Sequence, residues 1–167
     1  MAKILSIIAP EDFQDQEYSD SKTALEVAGH EVVTASTVAA PTGKFGATAQ
    51  ANIMLADVNP DDYDAIAFIG GPGVYGYFED EIVLNLAKTF LNANKPTCAI
   101  CAAPGILANA GLLQGKSATC WPGEGDHLKE KGTNYTGKPV EQDGLIITAD
   151  GPTSAKAFGE AIAKVVG

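Results

Sequence analysis

The 167 residues suit one domain with a sizeable core, and an apolar share of 46% argues against disorder. Eleven basic against 21 acidic side chains leave a net charge of −10, which repels phosphate backbones and argues against a nucleic-acid partner. Three cysteines, an odd number, make no disulfide framework. No apolar run reaches the roughly 20 residues of a membrane span, and Met1-Ala2-Lys3 leads at once into a short apolar run ending at Pro10, so the chain reads as cytoplasmic, where thiols stay reduced.

Apolar runs alternate with helix-period segments along residues 1–167, read as a single domain. Lys3–Ile8 is the first expected strand. Gln16–Ala28 follows as a helix, with Gly29 placed for a left-handed cap. Glu31–Ser36 is the second strand, and residues 41–57 read as a hairpin or short excursion around Gly43 and Gly46. Ala65–Ile69 is a buried strand ending at Gly70-Gly71. Glu79–Asn92 is a helix with acids in its first turn, as the helix dipole favours. Thr97–Cys101 is the next strand and Ala102–Ala110 the next helix, capped by Gly111. Ser117–Trp121 reads as a strand and Gly123–Gly132 as a loop with a helical turn. Val140–Asp143 and Leu145–Thr148 flank Asp143-Gly144, a hairpin pair, and Pro152–Val166 closes the chain as a helix. This alternation implies an α/β fold with a mainly parallel sheet covered on both faces, with its site beyond the carboxyl ends of the strands.

Cys101 stands where the run Pro96–Ile100 breaks into small residues. A thiol at a strand-to-helix junction faces the positive end of the helix, which favours the thiolate. Ala99 and Ala103 flank it as the glycines flank a nucleophile elbow, a turn too sharp for bulk two positions either side. The bland alternative is a packed, inert cysteine, which is the default for Cys98 and Cys120. Cys98-x-x-Cys101 lies in a strand, where a three-residue offset spans roughly 10 Å and points the side chains to opposite faces; that disfavours a disulfide. Without a second close-spaced Cys/His pair, zinc is disfavoured too.

Gly71-Pro72-Gly73-Val74-Tyr75-Gly76 spells a dinucleotide motif. It lacks the acidic residue about 20 positions on, and Glu79, Asp80 and Glu81 would repel a pyrophosphate, so no cofactor is expected. The backbone amides of Gly70 and Gly71 can instead face an oxyanion together with that of Ala102. Glu17, at the first helix start, is either a solvated residue that suits the dipole or a buried acid beside Cys101. A buried acid keeps its proton and donates a hydrogen bond to sulfur. His30, after the helix exit, reads as exposed, and His127 as a loop residue. Neither sits at a strand end, so a Cys–His dyad has little support.

Several stretches resemble the ThiJ/PfpI superfamily, which includes the parkinsonism-associated protein, the PfpI intracellular proteases and bacterial chaperone-hydrolases. Ala99-Ile100-Cys101-Ala102-Ala103-Pro104 resembles the family's elbow, and Asp12–Glu17 its first loop. Ala28-Gly29-His30-Glu31-Val32, Phe68–Gly73, Asp143–Thr148 and Gly151-Pro152 are similar to further family segments. The resemblance implies a flavodoxin-like three-layer sandwich, dimeric or larger, with Cys101 as nucleophile, Glu17 as its protonated partner, and Gly70, Gly71 and Ala102 around the oxyanion. Where the proteases place a histidine directly after the nucleophile, this chain has Ala102. Their acidic helper falls near Tyr75, and Trp121 stands before Pro122 where the parkinsonism-associated branch has histidine; Tyr75 and Trp121 are then pocket residues. Asp150 replaces an arginine common in relatives. Peptide hydrolysis, which must protonate an amine, lacks a base and acid here. The expected function is glyoxalase/deglycase-type addition of the Cys101 thiolate to a reactive carbonyl, with Glu17 shuttling the proton. The alternatives are a non-enzymatic redox sensor oxidised at Cys101, an intracellular peptidase whose base comes from another subunit, and a holdase chaperone.

Overall fold

A computed structural model describes all of residues 1–167. In chain order the elements are β1 (Lys3–Ile7), β2 (Glu11–Phe13), α1 (Asp15–Val27), β3 (Glu31–Ser36), β4 (Thr42–Gly43), β5 (Ile53–Met54), β6 (Ala65–Phe68), α2 (Glu81–Asn92), β7 (Thr97–Ile100), α3 (Pro104–Asn109), β8 (Ser117–Ala118), α4 (Gly125–Glu130), β9 (Asn134–Tyr135), β10 (Val140–Asp143), β11 (Ile146–Ala149) and α5 (Ala155–Val166). Seven strands form one sheet in the order β10-β11-β7-β6-β1-β3-β5. Every pairing in it is parallel except the β10–β11 hairpin.

The middle strands show why the sheet must be covered on both faces. All residues of β6 (Ala65-Ile66-Ala67-Phe68), β7 (Thr97-Cys98-Ala99-Ile100) and β11 (Ile146-Ile147-Thr148-Ala149) are buried, inward and outward alike. Helix α1 packs on α5, and α2 packs on α3, which in turn packs on α4. The expected α/β sandwich with a mainly parallel sheet is thus the observed fold. No helix is long and apolar enough to cross a membrane.

Departures from the sequence expectations concentrate around Cys101. The strand expected over Ser117–Trp121 pairs only over Ser117–Ala118, with β9, in a small separate sheet. Its continuation is drawn toward the elbow instead. The Thr119 amide donates to Thr148 Oγ1 (2.9 Å), and the Trp121 amide donates to the Cys101 carbonyl (2.7 Å). The helix expected from Ala102 starts at Pro104 and is only six residues long, because 101–103 form a tight turn. His127 lies in helix α4 rather than a loop, and His30 is half-buried, its Nδ1 accepting the Ala2 amide at 3.0 Å. The excursion after β3 folds back at Gly43, where an antiparallel bridge joins Thr42 and Thr48. The Gly43 amide donates to the Ala47 carbonyl (2.7 Å) to close that loop.

Candidate active site

Cys101 adopts φ +64°, a left-handed conformation that costs a non-glycine residue on the order of 1–2 kcal/mol. Its backbone is held on both sides. The Cys101 amide continues the β7–β11 ladder to the Ala149 carbonyl (2.9 Å), and its carbonyl accepts the Trp121 amide. Ala99 and Ala103 are fully buried on either side, where a larger side chain would meet the packed core. Of the three cysteines, all free thiols, Cys101 alone has solvent access; Cys98 and Cys120 are buried.

Glu17 reaches the elbow from the first turn of α1. Helix α1 is anchored there by the glycine turn after β6. The Gln14 amide donates to the Gly70 carbonyl (2.8 Å), and the Gly70 amide donates to Glu17 Oε1 (3.0 Å). The Gln14 side chain caps the helix by accepting the Glu17 amide at 2.9 Å. A Cβ on Gly70 would lie 2.7 Å from Glu17 Oε1, from Cys101 Cβ and from the Ile100 carbonyl oxygen alike, so only glycine lets acid and thiol meet. Gly71 has φ +109° and no room either, the Asp12 carbonyl and the Gln14 amide each lying 2.5 Å from where its Cβ would be.

These contacts redistribute the roles expected of the oxyanion residues. The amide of Gly70 is spent on Glu17, so it is a clamp for the acid rather than an oxyanion donor. The amides of Gly71 and Ala102 instead act on the Cys101 thiol, each favouring its ionised form.

Glu17 has no solvent exposure. Burial raises its pKa to about 7, against the opposing pull of the Cys101 thiol and the Gly70 amide. Oxygen Oε2 is buried with no hydrogen-bond partner, and the Cys101 thiol is the neighbouring polar side chain that draws the carboxyl's pKa down. Burial likewise pushes the Cys101 thiol up, and the neighbouring Glu17 carboxyl adds to the rise; the amides of Ala102 and Gly71 oppose it without offsetting it. This corrects the expectation of a thiolate set by a helix terminus. The six-residue α3 begins three residues too late, and two individual amides take its place. Thiol and acid are two proton-binding groups side by side, so the pair keeps at least one proton and the two do not both ionise.

A cavity of about 420 Å³ opens over the sulfur, lined among others by Cys101, Ala102, Gly71, Tyr75 and Trp121. Tyr75 and Trp121 are 42% and 46% exposed, so both present rings to the opening. Phe45 and Lys44, from the loop after β4, complete its rim, along with Gln14 and Pro152. The excursion around Gly43 and Gly46 reaches the site through long-range contacts, the pairing of β4 with β2 and the bonds to Asp15, which no local pattern reveals. The Asp15 carboxylate accepts the amides of Phe45 (2.9 Å) and Ala47 (2.8 Å).

A polar chain behind Tyr75 was also not legible beforehand. The Tyr75 hydroxyl donates to Glu124 Oε1 (2.7 Å), and Glu124 Oε2 lies 2.9 Å from His127 Nδ1. His127 Nε2 is 2.7 Å from Asn109 Oδ1, whose amide nitrogen donates to the Phe78 carbonyl (2.9 Å). Since that bond orients the Asn109 amide, His127 Nε2 is a donor. Both imidazole nitrogens are thereby engaged away from Cys101. Burial and the Glu124 contact raise the Tyr75 pKa. The only advance notice was the acid–histidine spacing Glu124–His127, one helical turn apart.

The chain is similar to known proteins along nearly its whole length. The chain is 38% identical over 169 residues to an uncharacterised protein of Methanocaldococcus jannaschii, covering 99% of this chain and 82% of that one. It is 30% identical to a protein of Pyrococcus abyssi named a deglycase, covering 96% and 97% of the two chains. A crystal structure of a ThiJ/PfpI domain protein from Brachyspira murdochii superposes with a TM-score of 0.96 at 33% identity, covering 98% of this chain and 95% of that one. The DJ-1/PfpI family model matches residues 2–165, and with relatives this similar along nearly the whole chain, the protein belongs to the DJ-1/PfpI family.

Proposed function

We propose that the protein is a cofactor-independent, glyoxalase/deglycase-type enzyme that acts on reactive carbonyls through Cys101 and Glu17. The observation that carries this reading is the Glu17 carboxyl: fully buried, fixed through Oε1 by the Gly70 amide, and with Oε2 free of any competitor for the thiol. A pKa of about 7 matches a group that both takes and returns a proton at neutral pH.

The substrate in this reading is an α-oxoaldehyde. The thiol proton passes to Glu17 as the sulfur bonds to the aldehyde carbon, and the developing alkoxide takes hydrogen bonds from the amides of Gly71 and Ala102 before it is protonated. Glu17, having returned the thiol proton to that alkoxide, removes the remaining hydrogen of the carbon as a proton, leaving an enediolate, and delivers it to the adjacent carbon, while the hydroxyl proton passes from the first oxygen to the second. The first carbon is oxidised to a thioester and the second reduced to an alcohol. Water then breaks the carbon–sulfur bond, releasing a 2-hydroxy acid and the free thiol. The P. abyssi relative is named a deglycase, in keeping with carbonyl chemistry of this kind. Loss of methylglyoxal, followed with wild type, Cys101→Ser and Glu17→Gln, is the test. Equal rates in wild type and Cys101→Ser would end the proposal.

A second reading rests on the accessibility of Cys101 alone among the three thiols. In a redox sensor, peroxide would oxidise the sulfur first to a sulfenic acid, releasing water, and then to a sulfinic acid hydrogen-bonded by Glu17. Peptide mass mapping after mild peroxide treatment separates the readings. Oxygen appearing on Cys98 or Cys120 before Cys101 would remove the sensor. The peptidase reading draws no support from within the chain, since Ala102 follows the nucleophile and His127 is bound to Glu124 and Asn109.

A further inference from the structure

Lys44 is the only formally cationic side chain that lines the Cys101 cavity, in a chain whose net charge is −10. Its ammonium forms no ion pair with any carboxylate and lies 5.7 Å from the centre of the Phe45 ring, itself on the rim. The backbone beneath it is fixed. The Lys44 amide donates to the Phe13 carbonyl (2.9 Å), and the next amides are held by Asp15. Asp15 is engaged by the two amides, Glu124 by the Tyr75 hydroxyl and His127, and Asp150 by the Ser154 hydroxyl at 2.6 Å. A lone cation thus stands over a cavity otherwise walled by aromatic rings and neutral groups. Asp150 does not line this cavity.

We infer that Lys44 selects carbonyl substrates bearing an anionic group, an oxoaldehyde with a carboxylate in preference to its neutral counterpart. The substrate part of this inference rests on the glyoxalase-type reading; the attraction of anions to the Cys101 cavity does not. At 420 Å³ the cavity takes a body much larger than a three-carbon oxoaldehyde, and the rings of Phe45, Tyr75 and Trp121 suit an aryl group. An ammonium at the rim of such a pocket is expected to change relative rates by about fivefold at low salt.

Two measurements test this separately. The first is alkylation of Cys101 by iodoacetate against iodoacetamide. In both, the sulfur–carbon bond forms, iodide leaves and the thiol proton goes to solvent, so the two differ only in charge. The iodoacetate-to-iodoacetamide rate ratio should fall about fivefold in Lys44→Gln and further in Lys44→Glu, recover in Lys44→Arg, and shrink with salt in wild type. An unchanged iodoacetamide rate shows that the variants keep their fold. A ratio equal in wild type and Lys44→Gln overturns the inference. The second is turnover of 4-carboxyphenylglyoxal against phenylglyoxal, where wild type should prefer the carboxylate and Lys44→Gln should lose that preference. If wild type turns over neither compound while the alkylation ratio still responds, the glyoxalase reading falls and the anion-attracting role of Lys44 stands. If both compounds turn over with a ratio indifferent to Lys44, substrate selection by Lys44 is wrong.

Discussion

The Gly70 amide donates a 3.0 Å hydrogen bond to Glu17 Oε1, and the Gly70 carbonyl accepts the amide of Gln14, the N-cap of the helix that carries Glu17. One glycine therefore fixes both the acid and the helix that carries it. Gly70→Ala should drive a methyl group into Glu17, Cys101 and the Ile100 carbonyl, each 2.7 Å away. We expect a loss of about 1–3 kcal/mol in stability by urea unfolding. The second-order rate of Cys101 alkylation should also change, since the acid beside the sulfur must move. Wild-type values for both would mean the clamp is dispensable.

Glu17 sets a pH dependence of stability whose sign follows from its raised pKa. Between its ordinary value of 4.5 and about 7 the folded chain holds a proton that the unfolded chain has lost. Stability from this group is therefore fully present below 4.5 and declines as pH rises toward 7, by about 3 kcal/mol in all. Glu17→Gln lacks the titrating group. Its unfolding free energy relative to wild type should climb across that window, with the variant the more favoured at pH 8. A difference that stays flat from pH 4.5 to 8 would contradict the burial of an ionisable acid here.

Tyr75 and Glu124 are coupled through their 2.7 Å hydrogen bond. In a double-mutant cycle of Tyr75→Phe and Glu124→Gln, measured by urea unfolding, the two effects should fall short of additivity by about 1 kcal/mol. Additive losses would show that the polar chain to His127 does not hold the pocket wall.

Asp15 ties the loop carrying Lys44 and Phe45 to the start of α1. Partial burial nudges its carboxyl upward, but the Phe45 and Ala47 amides outweigh this and hold it below 3.8. The tie is present above that value and is lost as pH falls below it. In Asp15→Ala, amide exchange at Phe45 and Ala47 should accelerate about tenfold at neutral pH while exchange within β7 stays unchanged. Retained protection at both amides would mean the Gly43–Ala47 turn holds itself.

The alternation of apolar runs with helical segments was enough to determine the sandwich, because strands buried on both faces, such as Ala65–Phe68 and Thr97–Ile100, leave no other way to cover themselves. Cys101 was legible for a similar local reason: small residues on either side of a thiol at a strand end mark a turn that excludes bulk. What surrounds the sulfur depended on contacts between segments far apart in the chain. Whether Glu17 faced solvent or thiol hinged on Gly70, 53 residues away, and the same contact took Gly70 out of the oxyanion role. The protonation of Cys101 likewise turned on its burial and on Glu17 rather than on a helix end, since tertiary packing shortened that helix to Pro104–Asn109. The Lys44 loop and the Tyr75–Glu124–His127 chain carry no local pattern that points to the site. Only the folded sheet brings them to one rim, because proximity there is created by strand order and not by sequence spacing.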